Sequence, residues 1–221
     1  MFNVNPSSLL ALYEHLLNMF GRQAWWPADS PFEVMVGAIL TQNTSWSNVE
    51  KALAHLKQQN SLTPTALLSL STSDLENYLK PAGYFRIKTQ RLRSYCRWYL
   101  SVGAYDGLQA VATPNLREML LNVHGIGPET ADDILLYAFD RPVFIIDSYT
   151  RRLLQRLRFI QGKEKYEYLR KLFEMNLPKS VDLYKQYHAL IVIHAKQHCR
   201  KVKPDCELCA LAKICVYREK S

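Results

Sequence analysis

Val123-His124-Gly125-Ile126-Gly127-Pro128-Glu129-Thr130-Ala131 lies between two segments whose apolar residues recur at helical spacing. Before it, Thr113-Pro114 opens a helix with Leu116, Leu120 and Val123 on one face. After it, Pro128 opens another, with Ala131, Ile134, Leu135 and Ala138 turned inward. Gly125 and Gly127 allow a sharp reversal between the two, because glycine accepts positive φ without a steric penalty. The N–H groups of this hairpin and the N-terminus of the second helix then face outward. That arrangement seats one phosphate and carries no preference for base.

The same period extends outward through the chain. Leu9, Leu10, Tyr13, Leu16, Leu17 and Phe20 form a helical stripe. Ser30-Pro31-Phe32-Glu33 reads as a helix start: Ser30 caps, Pro31 fits the first turn and Glu33 closes a capping box. The residues from Asn60 to Pro64 read as a turn, and Ser73 as the cap of a short helix that ends before Pro81. Gly83-Tyr84-Phe85 leads into a long basic helix from Arg86 to Leu100. Pro142 to Ile146 is a short apolar connector, with a new helix beginning at Asp147 or Ser148. Few segments alternate as strands do, and there is no internal repeat, so the expected class is all-α.

A chain of 221 residues suits one large domain or two small ones, and 48% apolar content supplies a core. The net charge of +8 fits a protein that meets nucleic acid, and equally one kept soluble by its charge. Thirteen Tyr and four Trp offer flat faces on which bases could stack, some interleaved with cations between Arg86 and Tyr99, although packing between helices is the commoner use of such rings. No apolar run approaches the roughly 20 residues of a membrane span, and the start lacks a secretory pattern. The expectation is a cytoplasmic protein with no membrane partner, in which clustered cysteines point to metal before disulfide.

Such a cluster is present. Cys199, Cys206, Cys209 and Cys215 follow the spacing C-x6-C-x2-C-x5-C, among Arg200, Lys201 and Lys203. Gathered thiolates of this kind are the ligand set of a [4Fe–4S] cluster or of a structural zinc. Paired C-x2-C motifs favour zinc, and only Cys206 and Cys209 have that spacing. Cys96 stands apart as a candidate buried thiol. Asp147, after Val143-Phe144-Ile145-Ile146, is either a helix N-cap or a carboxylate presented for chemistry.

The cysteine spacing resembles the cluster loop of the endonuclease III family, and Tyr187-His188-Ala189-Leu190-Ile191-Val192-Ile193-His194 looks like that family's final helix. The hairpin together with Asp147 resembles the helix-hairpin-helix, Gly/Pro-rich loop and aspartate motif of base-excision DNA glycosylases. The likeness runs from about Trp25 to Tyr217. It implies a two-lobed helix-hairpin-helix glycosylase fold. A six-helix barrel-like domain would span residues 25–141, and a second helical domain would combine residues 1–24 with 142–221. A cleft between them would place Asp147 opposite the hairpin. The resemblance also implies a [4Fe–4S] cluster over zinc, a monomer acting on double-stranded DNA with a damaged base, and Asp147 as the catalytic carboxylate. Gly125, Ile126, Gly127 and Thr130 would contact DNA. Gln42 resembles the residue that fills the gap left by a flipped nucleotide, and Tyr84 the wedge facing the opposite strand.

Glu129 departs from the bifunctional members, which carry a lysine at this place. Glutamate has no amine with which to form a Schiff base, and no lysine occurs between Lys88 and Lys163. The expectation is a monofunctional enzyme that uses water. Glu129 would position that water or would simply be a first-turn acid favoured by the helix dipole. Ala24-Trp25-Trp26-Pro27 and Leu40-Thr41-Gln42-Asn43-Thr44-Ser45-Trp46 resemble the bacterial 3-methyladenine glycosylase III branch, where this region supplies an aromatic pocket. Trp25, Trp26, Pro27 and Trp46 are thus candidate pocket residues, with core packing as the other reading. That branch includes a member without the cluster ligands, whereas this chain has all four cysteines. The expected activity is hydrolytic release of alkylated purines such as 3-methyladenine. The alternatives are an endonuclease III-like enzyme for oxidised pyrimidines, uracil or mismatched bases, and a non-catalytic iron–sulfur protein that binds damaged DNA.

Overall fold

The computed structural model describes residues 6–218, and every regular element among them is helical. In chain order these are α1 (Pro6–Phe20), α2 (Pro31–Leu40), α3 (Trp46–Gln58), α4 (Pro64–Ser69) and α5 (Thr72–Leu79). A 3-10 turn, Lys80–Ala82, leads to α6 (Phe85–Ser101), α7 (Ala104–Gln109), α8 (Thr113–Leu121) and α9 (Pro128–Asp133). A π turn, Ile134–Ala138, follows α9, and then come α10 (Ser148–Arg156), α11 (Tyr166–Asn176) and α12 (Val181–Gln197). The chain divides into two compact units, residues 26–141 and residues 1–25 with 142–221.

In unit 26–141, α2 is the central helix. Every residue from Phe32 to Leu40 is buried, as expected of the run 34–40, which is apolar on all sides; Glu33 is the one charged residue among them. Ser30 caps it by accepting from the Glu33 N–H at 3.2 Å. The reciprocal half of the capping box is displaced by one residue: the Glu33 carboxylate accepts from the Asp29 N–H at 2.9 Å. Glu33 is only 4% exposed, and its charge is met by Lys57 Nζ at 2.6 Å.

Two local expectations shift, and for the rings of α6 the packing reading holds. The cap of α5 is Ser71, two residues before Ser73, because Ser71 Oγ accepts from the Asp74 N–H at 3.0 Å. The buried stripe of α1 is Leu9, Leu12 and Leu16, while Leu10 and Leu17 flank it. In α6, Tyr95 and Tyr99 are core residues stacked at 5.8 Å, with Tyr99 also against Phe32, so these rings serve packing and leave no face for bases.

In the unit formed by residues 1–25 and 142–221, Phe144 stacks on Phe173 at 4.0 Å, with Tyr184 and Tyr187 edge-on. The Tyr187 hydroxyl donates to the Leu9 carbonyl at 2.9 Å and ties α12 to α1. The connector Val143–Ile146 is buried but belongs to no helix, so its N–H groups need side-chain partners. Phe144 N donates to Glu174 at 3.0 Å, and Arg170 holds Glu174 in turn. Ile146 N lies 3.4 Å from the Tyr166 hydroxyl. This apolar, side-chain-tethered strap delivers Asp147 to the start of α10.

Candidate functional site

Within unit 26–141 the hairpin is held from beneath by α6. Gly125 has φ +87°, a conformation that disfavours any residue with a Cβ. A Cβ there would also overlap Arg91, whose side chain passes under the turn. Arg91 donates to Gln42 Oε1. Gln42 Nε2 then donates to the Gly125 carbonyl at 3.0 Å and to Thr130 Oγ1 at 2.9 Å. The end of α2, the hairpin and the start of α9 are thus one hydrogen-bonded unit. Ile126 and Thr130 are buried, whereas a Cβ added at Gly127 would meet nothing within 4 Å. The Gly127 backbone can therefore be approached closely by a phosphate.

Gly125→Ala is expected to destabilise the protein by about 1–3 kcal/mol, since it strains a left-handed position and forces Arg91 off Gln42. A thermal melt checks this; an unchanged midpoint would show that the turn relaxes freely.

Lys88, one turn before Arg91, is 1% exposed. Its ammonium donates to the carbonyls of Leu40 at 2.8 Å and Ala82 at 2.7 Å. Burial, and then the charge of Arg91, pushes its pKa down to about 8. Lys88 thereby fixes the end of α2, just before Gln42, and the turn before Tyr84. Tyr84 is 67% exposed at φ +46°. A bulky residue in that conformation costs on the order of 1–3 kcal/mol and persists only where its surroundings enforce it.

Trp26 packs against Gly37, where an added Cβ would lie 3.2 Å from the indole. Its ring meets Trp46 edge-on at 4.7 Å and Tyr137 at 5.2 Å. Tyr137 stands in the π turn, and both tryptophans remain half-buried, so the group keeps accessible aromatic surface. Pro27 is exposed. Trp25 has other surroundings: the Lys196 ammonium lies 5.6 Å from its ring centroid. Glu129 is exposed in the first turn of α9.

Asp147 is the N-cap of α10 and is 8% exposed. Its Oδ1 accepts from the Thr150 N–H at 2.7 Å, and its Oδ2 lies 3.6 Å from His188 Nε2 on α12. Burial raises the carboxyl pKa, but the His188 imidazole and the Thr150 N–H more than offset it, and the net shift is downward. The N-cap role and a chemical role are compatible, because the cap bond uses only one oxygen.

The cysteines of the tail are all free thiols, and Cys199, Cys206, Cys209 and Cys215 line one small cavity. Among the described residues, no three His, Cys, Asp or Glu side chains form a site for a single metal ion. Arg156 donates to Cys199 Sγ at 3.1 Å and to the Arg200 carbonyl at 2.9 Å, and Arg152 to the Cys199 carbonyl at 2.8 Å. His194, 3.9 Å from Cys209 Sγ, has its pKa pushed down to about 4 by burial and by the nearby His198 and Arg152. It is therefore neutral at physiological pH. Burial raises the Cys209 thiol, and the other three cysteines add to the rise. Such thiols ionise together only when a cation joins them. The four-thiol donor set and its flanking guanidinium groups suit an anionic thiolate-bound cluster in their chemistry.

The architecture and hairpin define a base-excision class of protein, and comparison with known proteins agrees. Residues 36–179 match the HhH-GPD superfamily of base excision DNA repair proteins, and the chain belongs to that superfamily. It is 43% identical over 210 residues to a protein of Methanocaldococcus jannaschii provisionally assigned as a DNA repair glycosylase, covering 93% of this chain and 94% of the relative. A non-covalent endonuclease III–DNA complex superposes with a TM-score of 0.84 at 21% identity, covering 98% of both chains. The Helicobacter pylori 3-methyladenine DNA glycosylase MagIII bound to 1,N6-ethenoadenine gives a TM-score of 0.74 at 28% identity, covering 88% of this chain and 98% of that one. This chain is a DNA-binding DNA glycosylase.

Sequence reasoning did not single out Lys88, Arg91 or His188. Each acts on a partner remote in sequence, and although His188 falls in the stretch that resembles the family's final helix and Lys88 and Arg91 in the basic helix, neither segment assigned them a role. The available signal was weak: basic and imidazole side chains at positions of α6 and α12 that packing made interior.

Proposed function

We propose that the chain is a monofunctional glycosylase that hydrolyses the N-glycosidic bond of alkylated purines in double-stranded DNA, with 3-methyladenine as the leading substrate. The observation that carries the reading is the aromatic group of Trp26, Trp46 and Tyr137. A base such as 3-methyladenine is cationic, and indole faces attract cations. The MagIII relative, with its bound modified adenine, supports the same assignment. The base swings out of the duplex, Gln42 fills the space it vacates, Tyr84 wedges against the opposite strand, and Gly125, Ile126, Gly127 and Thr130 of the hairpin hold a phosphate. Release from Gly125 and Thr130 would accompany any insertion of Gln42.

The Asp147 carboxylate stabilises the oxocarbenium-like sugar as the bond to the base breaks. The base leaves with the bonding electron pair. Water forms the new bond to the anomeric carbon, and its proton passes to Asp147 or to solvent. Glu129 supplies no amine for strand cleavage; in this reading it orients the water. The product is an abasic site in an intact strand. A [4Fe–4S] cluster on Cys199, Cys206, Cys209 and Cys215 would cross-link the tail, with Arg152 and Arg156 balancing its charge. A monomer at work in the cytoplasm completes the reading.

Single-turnover excision on duplexes carrying one lesion each tests it: 3-methyladenine or a stable analogue, hypoxanthine, thymine glycol, uracil and mismatched adenine. Release of the alkylated purine, with strand breaks only after alkali and no borohydride-trapped complex, is the expected result. Release of thymine glycol with breaks before alkali would replace this reading with a bifunctional pyrimidine enzyme. Tight binding of damaged DNA without any base release would replace it with a damage-binding protein.

A further inference from the structure

His188 lies on α12, within a stretch whose residues from Gln186 to Val192 are all buried. A packed core histidine is the ordinary reading of such a residue. Its location argues for more. Its Nε2 lies 3.6 Å from Asp147 Oδ2, and the two side chains are 6% and 11% exposed. The cap bond from Thr150 to Oδ1 fixes one oxygen of the carboxylate but leaves the plane of the group free to turn. A second contact, from a different helix, defines that plane.

We propose that His188 is a positioning residue for the glycosylase reaction: its imidazole faces Asp147 Oδ2 and holds the carboxylate in the orientation presented to the sugar. The inference rests on the reading of Asp147 as the carboxylate that serves the reaction. The 3.6 Å separation is longer than a formed hydrogen bond. Contacts of this kind in free enzymes commonly tighten when substrate binds. The electrostatics agree in direction: burial alone would push the Asp147 carboxyl upward, and the imidazole is the foremost influence pulling it down. The ionisable groups facing Asp147 are His188 from α12 and Tyr149 from its own helix, whose hydroxyl is raised by burial and by Asp147. An anion held this way needs no reorganisation as positive charge develops on the sugar.

The test compares His188→Leu, which removes the donor, with His188→Gln, which restores an N–H donor without a titratable ring. Both are measured beside Asp147→Asn. His188→Leu is expected to slow single-turnover excision by roughly 10- to 100-fold, the usual cost of losing an orienting partner. The Kd for duplex with a stable abasic-site analogue should change less than about twofold, and His188→Gln should recover most of the rate. Carbon-13 carboxyl NMR gives a readout independent of activity: the Asp147 resonance should titrate at higher pH in His188→Leu, because burial then acts with less opposition.

Wild-type excision in His188→Leu, an unmoved Asp147 titration, or equal slowing in Leu and Gln variants would each overturn the role. If Leu unfolds the protein, the Gln variant decides alone, since near-wild-type rate and an unmoved fold are both required of it. An Asp147→Asn protein that still excises would instead bring down the reading of Asp147 itself, whatever His188 does.

Discussion

Asp147→Asn is expected to slow base release by about 10²- to 10³-fold, the range typical when a preorganised electrostatic group is removed from a reacting centre. The substitution is informative because its structural cost is small. Asparagine is as good an N-cap as aspartate, so the bond from the Thr150 N–H and the start of α10 survive. The strap Val143–Ile146 keeps its tethers to Glu174 and Tyr166. What disappears is the negative charge. Affinity for undamaged duplex, carried by phosphate contacts, should stay within a few-fold of wild type.

The pH dependence separates the charge from the fold. The Asp147 carboxyl is held below its ordinary value in the folded protein. A depressed carboxyl contributes stability that is fully present above the ordinary carboxylate range, and that contribution is lost as pH falls through the folded value. Between neutral pH and about 5 the group stays ionised, so excision by the wild type should show no step there attributable to it. The stability difference between wild type and Asp147→Asn should narrow only in stronger acid. Excision by Asp147→Asn at the wild-type rate would remove this carboxylate from the reaction.

The all-α class was legible because helix starts are local. Ser30, Pro31, Pro114 and Pro128 each fix a boundary through their own backbone geometry. Ambiguity arose where two candidate caps stood close together: Ser71 and Ser73 both precede an apolar run, and only the bond to the Asp74 N–H selects the first. The π turn at Ile134–Ala138 has no local marker, and it is what brings Tyr137 to Trp26. Trp25 and Trp26 are adjacent in sequence yet pack differently, one beside Lys196 and the other against Gly37. Motif reasoning picks out residues that touch a ligand. It passes over Arg91 beneath Gly125, or Lys88 between two carbonyls, because their value lies in contacts across 34 and 48 residues of sequence respectively.

Cys206→Ser is expected to give colourless protein that has lost iron and sulfide, against a yellow-brown wild type with roughly four of each per chain. The consequence should be mechanical rather than chemical. The tail from Cys199 to Arg218 contains no α-helix, and its apolar residues Val202, Leu208 and Ile214 are exposed. Apart from Leu211, little apolar burial holds such a segment, so in the proposed assignment the cluster would supply most of its folding free energy. Without it, Arg152 and Arg156 lose the carbonyls of Cys199 and Arg200 that fix their direction. These arginines also line an open groove with Arg151, Arg158 and Lys201, a concentration of positive charge suited to phosphates. Duplex affinity should therefore fall by at least about tenfold, most visibly at low salt, where such contacts count most. Asp147 is held by Thr150 and His188 and by the tethered strap, none of which belongs to the tail, so base release at saturating DNA should stay within about tenfold of wild type. Colourless wild-type protein with stoichiometric zinc would overturn the cluster assignment. Release as slow as in Asp147→Asn, at saturating DNA, would show that the tail is needed to assemble the reacting centre as well as to hold the duplex.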